Sequence, residues 1–170
     1  MRLQIVNTLP ESDPRAQKAI RTLQGKALEC RIVSAYDKKI SPCIGCNACW
    51  LRTPGICSVK DDYEEILKGY LTYDATVFLA GTALQFVNHR MKNLIDRMLP
   101  LATMYIHIPD DQCRHVMRYD RRLQLGLLYA GEADRNYLNQ WMDRVMLNFD
   151  GVNLGAYPIT QAEEVLSCIL

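Results

Sequence analysis

The chain has 170 residues, 49% of them hydrophobic and 23% charged, and its 20 basic residues offset 19 acidic ones to a net charge of +1. That length suits a single domain, 1–170, whose core needs no cross-links to hold it. The even charge balance excludes the broad basic or acidic surface that nucleic-acid or membrane-surface partners select, so no nucleic-acid and no membrane partner is expected.

Taken in chain order, "RLQIVNT" (2–8) reads as a first strand, and "LPESDP" breaks it with Pro10 and Pro14. The apolar run at the N-terminus is too short for a secretory signal, and no window approaches a membrane span. The cytoplasm is the expected compartment. Ala16, Ala19, Ile20 and Leu23 recur at helical spacing, and Gly25 is a stop signal. "ALECRIVSAY" (27–36) contains a second strand, followed by a cysteine-rich loop over 41–60. "DDYEEILKGYL" then opens a helix, with Asp61 and Glu64 spaced as a capping box.

"ATVFLAG" (75–81) is a continuous apolar run ending in glycine, the pattern of a strand buried on both faces. Val87, Met91, Leu94, Ile95, Met98 and Leu99 mark one helical stripe, which Pro100 ends. The segment 101–122 fits neither period and reads as a long basic loop, with Arg114, His115, Arg118, Arg121 and Arg122 close together. It suits a solvated segment, a phosphate contact through guanidinium groups, or an oligomer arm. "LQLGLLYAG" (123–131) is a fourth strand. Leu138, Trp141, Met142, Val145, Met146 and Phe149 make a second stripe, "VNLGAYPI" (152–159) is a fifth strand, and Thr160 with Glu163 caps a short final helix. Five strands alternating with helices imply an α/β fold of three layers around a five-stranded, parallel, doubly wound sheet. Such sheets bind ligands at the carboxyl ends of their strands, near the point where strand order reverses.

Four of the seven cysteines lie in "SPCIGCNACWLRTPGICSVKDD" (41–62), at Cys43, Cys46, Cys49 and Cys57. The odd total and a reducing compartment argue against a disulfide framework. The two short steps let three thiolates converge from one turn, and the fourth closes the set after a short excursion. Iron–sulfur clusters require four such ligands. Structural zinc more often draws pairs from separate knuckles. From spacing alone a cluster leads, with zinc and free redox-active thiols as alternatives.

The stretch "PCIGCNACWLRTPGICSVKDD", followed by a helix, a buried strand and "NHRMKNLIDRM", resembles the iron–sulfur flavoprotein branch of the NADPH-dependent FMN reductase-like, flavodoxin-like family. "CRHVMRYDRRLQLGLLYAGEAD" (113–134) is similar to the approach to that family's fourth strand. The resemblance implies a flavodoxin-like fold, a [4Fe–4S] cluster on Cys43, Cys46, Cys49 and Cys57, FMN at the carboxyl edge of the sheet, NAD(P)H or a redox protein as donor or acceptor, and a homo-oligomer. The FMN contacts would come from Thr8 and Ser12 in the first loop, Gly81, Thr82, Ala83, Leu84, Gln85 and Phe86 in the third-strand loop, and Gly131 after the fourth strand.

Two loops depart from the family. "NTLPESDP" has no glycine, two prolines and two acids where a phosphate nest needs free amides. "GTALQF" lacks the proline and tyrosine usual beside the flavin. The second reading is therefore a flavodoxin-like binding module without FMN, whose cysteines hold zinc or stay free. No proton-transfer pair stands out, so no catalytic residue is assigned. His89 reads as a surface residue, His107 has no evident partner, and Trp50 serves equally as packing or as a shield for Cys49. Cys30 and Cys168 read as small core residues and Cys113 as a stray thiol.

Overall fold

Apolar runs too short for a helix become strands wherever both their faces are covered. In the computed structural model, which describes residues 1 to 168, this happens at β1 (Arg2–Asn7), β3 (Ala75–Ala83) and β7 (Gln124–Ala130), flanked by the less covered edge strands β2 (Glu29–Ser34) and β8 (Val152–Pro158). These five pair in the order β2-β1-β3-β7-β8, every pairing parallel. The chain leaves β1 in one direction and returns through β3 in the other, so strand order reverses between β1 and β3. There the Thr8 amide donates to the Leu79 carbonyl at 2.8 Å.

Neighbouring residues on each strand feed opposite cores. Val6, Phe78 and Leu127 face one layer, packed on Tyr63, Met91, Leu94 and Met142. Ile5, Val77 and Leu128 face the other, packed on Ala16, Leu23 and Val165. The first layer is made by α3 (Tyr63–Thr72), α4 (His89–Asp96) and α5 (Arg135–Asn148), and the second by α1 (Pro14–Gln24) with the C-terminal turns. The two methionine-rich stripes are core, as their spacing implies. Among the described residues, no helix is long and apolar enough to cross a membrane.

Three elements differ from the sequence expectation. The stretch 101–122 is not one loop: β5 (Ala102–His107) and β6 (Arg114–Met117) pair antiparallel as a separate two-stranded sheet. The end of the chain forms single 3₁₀ turns at Ile159–Gln161 and Leu166–Cys168 instead of a helix begun by Thr160 and Glu163. Val165 there packs onto Gly126 of β7, where an added Cβ would lie 2.3 Å from its Cγ2. Asp61 and Glu64 do not form a capping box. Asp62 occupies the cap position of α3 without a side-chain cap bond, and Glu64 pairs with Lys68 at 2.7 Å.

Candidate functional site

The loop from β2 to α3 carries the cysteines. Its shape is set first by turns: Gly45 and Asn47 adopt positive φ, and the four-residue helix α2 (Ala48–Leu51) follows directly. Its two ends are then fastened by one buried ion pair. The Arg97 guanidinium, at the end of α4, meets the Asp61 carboxylate at 2.8 and 3.0 Å, and both side chains are almost fully buried. Arg97 also donates to the carbonyls of Ser41, before the first cysteine, and Val59, after the last. Asp61 accepts from the amides of Ser41 and Tyr63. Burial pushes the Asp61 carboxyl up, but the Arg97 and amide hydrogen bonds reverse this and hold it below its ordinary value. Arg97 lies over the Tyr63 ring at 4.8 Å.

The result is that Cys43, Cys46, Cys49 and Cys57 line one small cavity of about 20 Å³, together with Ile44, Val59, Leu99, Pro100 and Arg97. Cys49 is buried, Cys43 and Cys57 are partly covered, and Cys46 is exposed. The Cys46 sulfur lies 3.1 Å from the Ser58 hydroxyl, and this hydrogen bond lowers its pKa. Desolvation raises that of Cys49, and the nearby thiols of Cys57 and Cys43 raise it further. Among the described residues, no three His, Cys, Asp or Glu side chains converge closely enough for a single metal ion. Of the other cysteines, Cys30 is partly covered on β2 and Cys113 is exposed. Cys168 falls where no side chain is described.

The cysteine turn is also fixed to the hairpin. The Trp50 indole donates to Leu99 O at 2.9 Å, and its ring lies 4.9 Å from that of His115. Arg118 donates to the carbonyls of Cys49, Pro100 and Ala102. Trp50 and Arg118 thus have structural partners, and arginines of the basic stretch serve in part as internal braces.

The residues expected at a flavin divide into three groups. Gly81 and Thr82 on β3 and Gly131 after β7 come together at the carboxyl edge. Gly131 has φ +124, and an added Cβ would lie 2.4 Å from the Thr82 hydroxyl, so only glycine permits this approach. Ala83, Leu84, Gln85 and Phe86 form a tight reversal, in which β4 (Phe86–Val87) returns antiparallel against Thr82 and Ala83. Leu84 and Gln85 both take positive φ, as a type I′ turn demands, and Leu84 is 99% exposed. Phe86 packs on Tyr137 and Trp141 with centroids 5.5 and 5.0 Å apart.

The first loop is built differently. Thr8 is buried, and its hydroxyl donates to Leu79 O at 3.0 Å. Leu9 N donates to the Asn7 side chain, and the Asp13 carboxylate accepts from the amides of Arg15 and Ala16 at the start of α1. Ser12 is exposed beside Glu11. The amides that would cradle a phosphate at this helix start are capped by the chain's own carboxylate, so these residues do not fit an FMN phosphate.

A parallel α/β sheet with a cysteine cavity at one carboxyl edge and a glycine-lined edge beside it has the flavodoxin-like architecture. Comparison with known proteins supports this class. The chain is 33% identical over 85 residues to an iron–sulfur flavoprotein of Methanocaldococcus jannaschii, a match covering 50% of this chain and 43% of that protein. It is 39% identical over 69 residues to an iron–sulfur flavoprotein of Archaeoglobus fulgidus, covering 41% and 33% respectively. The matched part is thus less than half the length of either relative. The NAD(P)H:quinone oxidoreductase from Methanothermobacter marburgensis shares the fold at a TM-score of 0.65, with 13% identity over 99% of this chain and 93% of that one. No protein-family model matches the chain. The resemblance read from the cysteine stretch is therefore borne out: part of the chain matches iron–sulfur flavoproteins in sequence, and nearly all of it superposes on a flavodoxin-like reductase.

Arg97 is the site residue that the sequence reading missed. The segment "LIDRML" sets it beside an apolar helical stripe, but nothing local shows that it is buried or that Asp61 is its partner.

Proposed function

We propose that the protein is a redox carrier that moves electrons through a [4Fe–4S] cluster held by Cys43, Cys46, Cys49 and Cys57. The single observation that carries this reading is that all four thiols line one cavity whose rim is fixed by the Asp61–Arg97 pair. The two short steps from Cys43 to Cys46 and Cys49 draw three thiolates from one turn, which suits a cluster better than the paired knuckles of structural zinc. When bound, the cluster would accept and release single electrons. The chain's own contribution is position and potential. Asp61 and Arg97 set the loop ends, Ser58 bonds to Cys46, and the nearby Arg97 charge favours the more negative, reduced state.

Flavin binding enters through the relatives' description as flavoproteins and through an FMN-bound NADH-azoreductase of Bacillus anthracis that shares the fold at a TM-score of 0.51. Gly81, Thr82 and Gly131 would approach its ring, with Leu84 and Gln85 at the tip beside it. The first loop, capped by Asp13, does not fit its phosphate. NAD(P)H or a redox protein as donor, and assembly into a homo-oligomer in the cytoplasm, complete the reading. The protein acts on it as an oxidoreductase or an electron-transfer protein.

Iron, acid-labile sulfide and flavin are to be measured on anaerobically purified protein. About four irons per chain are expected, retained in Cys113→Ser and lost in Cys49→Ser. A chain purified under reducing, anaerobic conditions with neither iron nor flavin would sink the proposal. The self-capped first loop favours the second reading, a binding module without FMN whose cysteines hold zinc or remain free. It predicts about one zinc per chain and no change of melting temperature with FMN.

A further inference from the structure

A second, larger cavity of about 330 Å³ lies directly behind the cysteine site. Cys57, Val59 and Arg97 line both, so the wall between them is a single layer of side chains. The larger cavity is formed by α3, the last third of the cysteine loop, Leu101 and Tyr119. Its interior is apolar, with Val59, Leu67, Leu71 and Leu101 beside the rings of Tyr63 and Tyr119, and Ile56 stands half exposed among the lining. That volume is at the lower end of small-molecule pockets, enough for one or two fused rings.

Its charged groups are mostly cationic. The lining carries three cations, Lys60, Lys68 and Arg97, against one carboxylate, Glu64. Glu64 is bound by Lys68, and Lys60, which forms no salt bridge among the described residues, also acts on Glu64 through its charge. Arg97 is 2% exposed, and although its terminal nitrogens are fully engaged, its Nε–H has no hydrogen-bond partner among the described residues. A buried guanidinium donor left without an acceptor is costly, and an acceptor supplied by a ligand removes that cost.

We propose that this cavity binds a small, largely apolar aromatic acid, its rings among Leu67, Leu71 and Leu101 and its anionic oxygens toward Lys60 and the Arg97 Nε–H. The site goes beyond the electron-carrier reading and needs no cofactor, since protein side chains alone form it. An occupant would lie against the inner side of Cys57, next to the redox centre and outside the carboxyl-edge crevice.

The test is isothermal titration of the purified full chain with naphthalene-2-carboxylate and, separately, with 2-naphthol, the iron and flavin content of the same preparation being recorded. One-to-one binding of the carboxylate is expected, with Kd on the order of 0.1 mM. Leu71→Trp, which fills the cavity, should weaken both ligands at least about tenfold. Lys60→Glu, an exposed position, should weaken the carboxylate about fivefold or more and leave the naphthol within about twofold. Thr22→Trp, on α1 far from the cavity, should change neither. Absence of saturable carboxylate binding at millimolar concentration, or binding that neither Leu71→Trp nor Lys60→Glu alters, overturns the proposal. Either outcome is independent of whether the preparation carries iron, so failure of this site and failure of the cluster reading are told apart.

Discussion

The loops after β1 and β2 leave neighbouring strands at the same edge of the sheet, yet they use their polar atoms in opposite ways. After β2, the strongest polar groups, Asp61 and Arg97, are drawn into the base of the loop, where they shape it and leave four thiols around a common cavity. After β1, the polar groups cap one another: Thr8 on Leu79, Asn7 on Leu9, Asp13 on the start of α1. The first arrangement prepares a site for something else, and the second completes itself. A loop's capacity to bind thus depends less on how many donors it has than on whether the fold has already used them.

Breaking the base of the cysteine loop should have the largest effect. Asp61→Ala leaves the Arg97 charge buried and unpaired, and should cost about 3–5 kcal/mol in chemical denaturation. Iron retention should fall with it. The same pair predicts an acid limit. The folded Asp61 carboxyl lies below its ordinary value, so its contribution is complete above the unfolded pKa of about 3.9 and is lost as pH falls below that value. Urea midpoints measured down the acid range should show this step in the wild type and lack it in Asp61→Asn.

The contrast sharpens from the other side if the first loop is opened. Glu11→Gly with Asp13→Ser removes two carboxylates, supplies a glycine and keeps a capping hydroxyl. FMN affinity, followed by flavin fluorescence, should rise about fivefold, equivalent to about 1 kcal/mol. An unchanged affinity would mean that carboxylates are not what closes the loop. The smallest effect is at the β3 reversal. Leu84→Asn with Gln85→Gly suits the two positive φ angles and should raise stability by up to about 1 kcal/mol. If that turn is kept strained for a ligand, the stabler variant should bind flavin more weakly.

What the sequence disclosed follows from where burial is two-sided. β3 and β7 are continuous apolar runs because helices cover both faces, and their bounds are legible to within a residue or two. The hairpin of β5 and β6 was not legible because most of it is exposed: from Tyr105 to His107 both faces meet solvent, so no alternation marks them. The four cysteines announced themselves by spacing. Their support did not, because the Asp61–Arg97 contact joins residues 36 apart in sequence, and Asp61 beside Glu64 satisfies a local rule equally well. In the first loop the acids were legible, but not that Asp13 alone would cap the start of α1, since a capping bond depends on the backbone path and not on residue type alone.

The bonds from Trp50 to Leu99 and from Arg118 to Cys49 and Ala102 give the cysteine turn a mechanical character. They tie α2 to the root of the β5–β6 hairpin, an arm whose far end exposes Tyr105, Ile106 and Ile108. A force applied at that end is transmitted through the root to the backbone of Cys49. Whatever grips the arm therefore also holds the turn that carries the buried thiol.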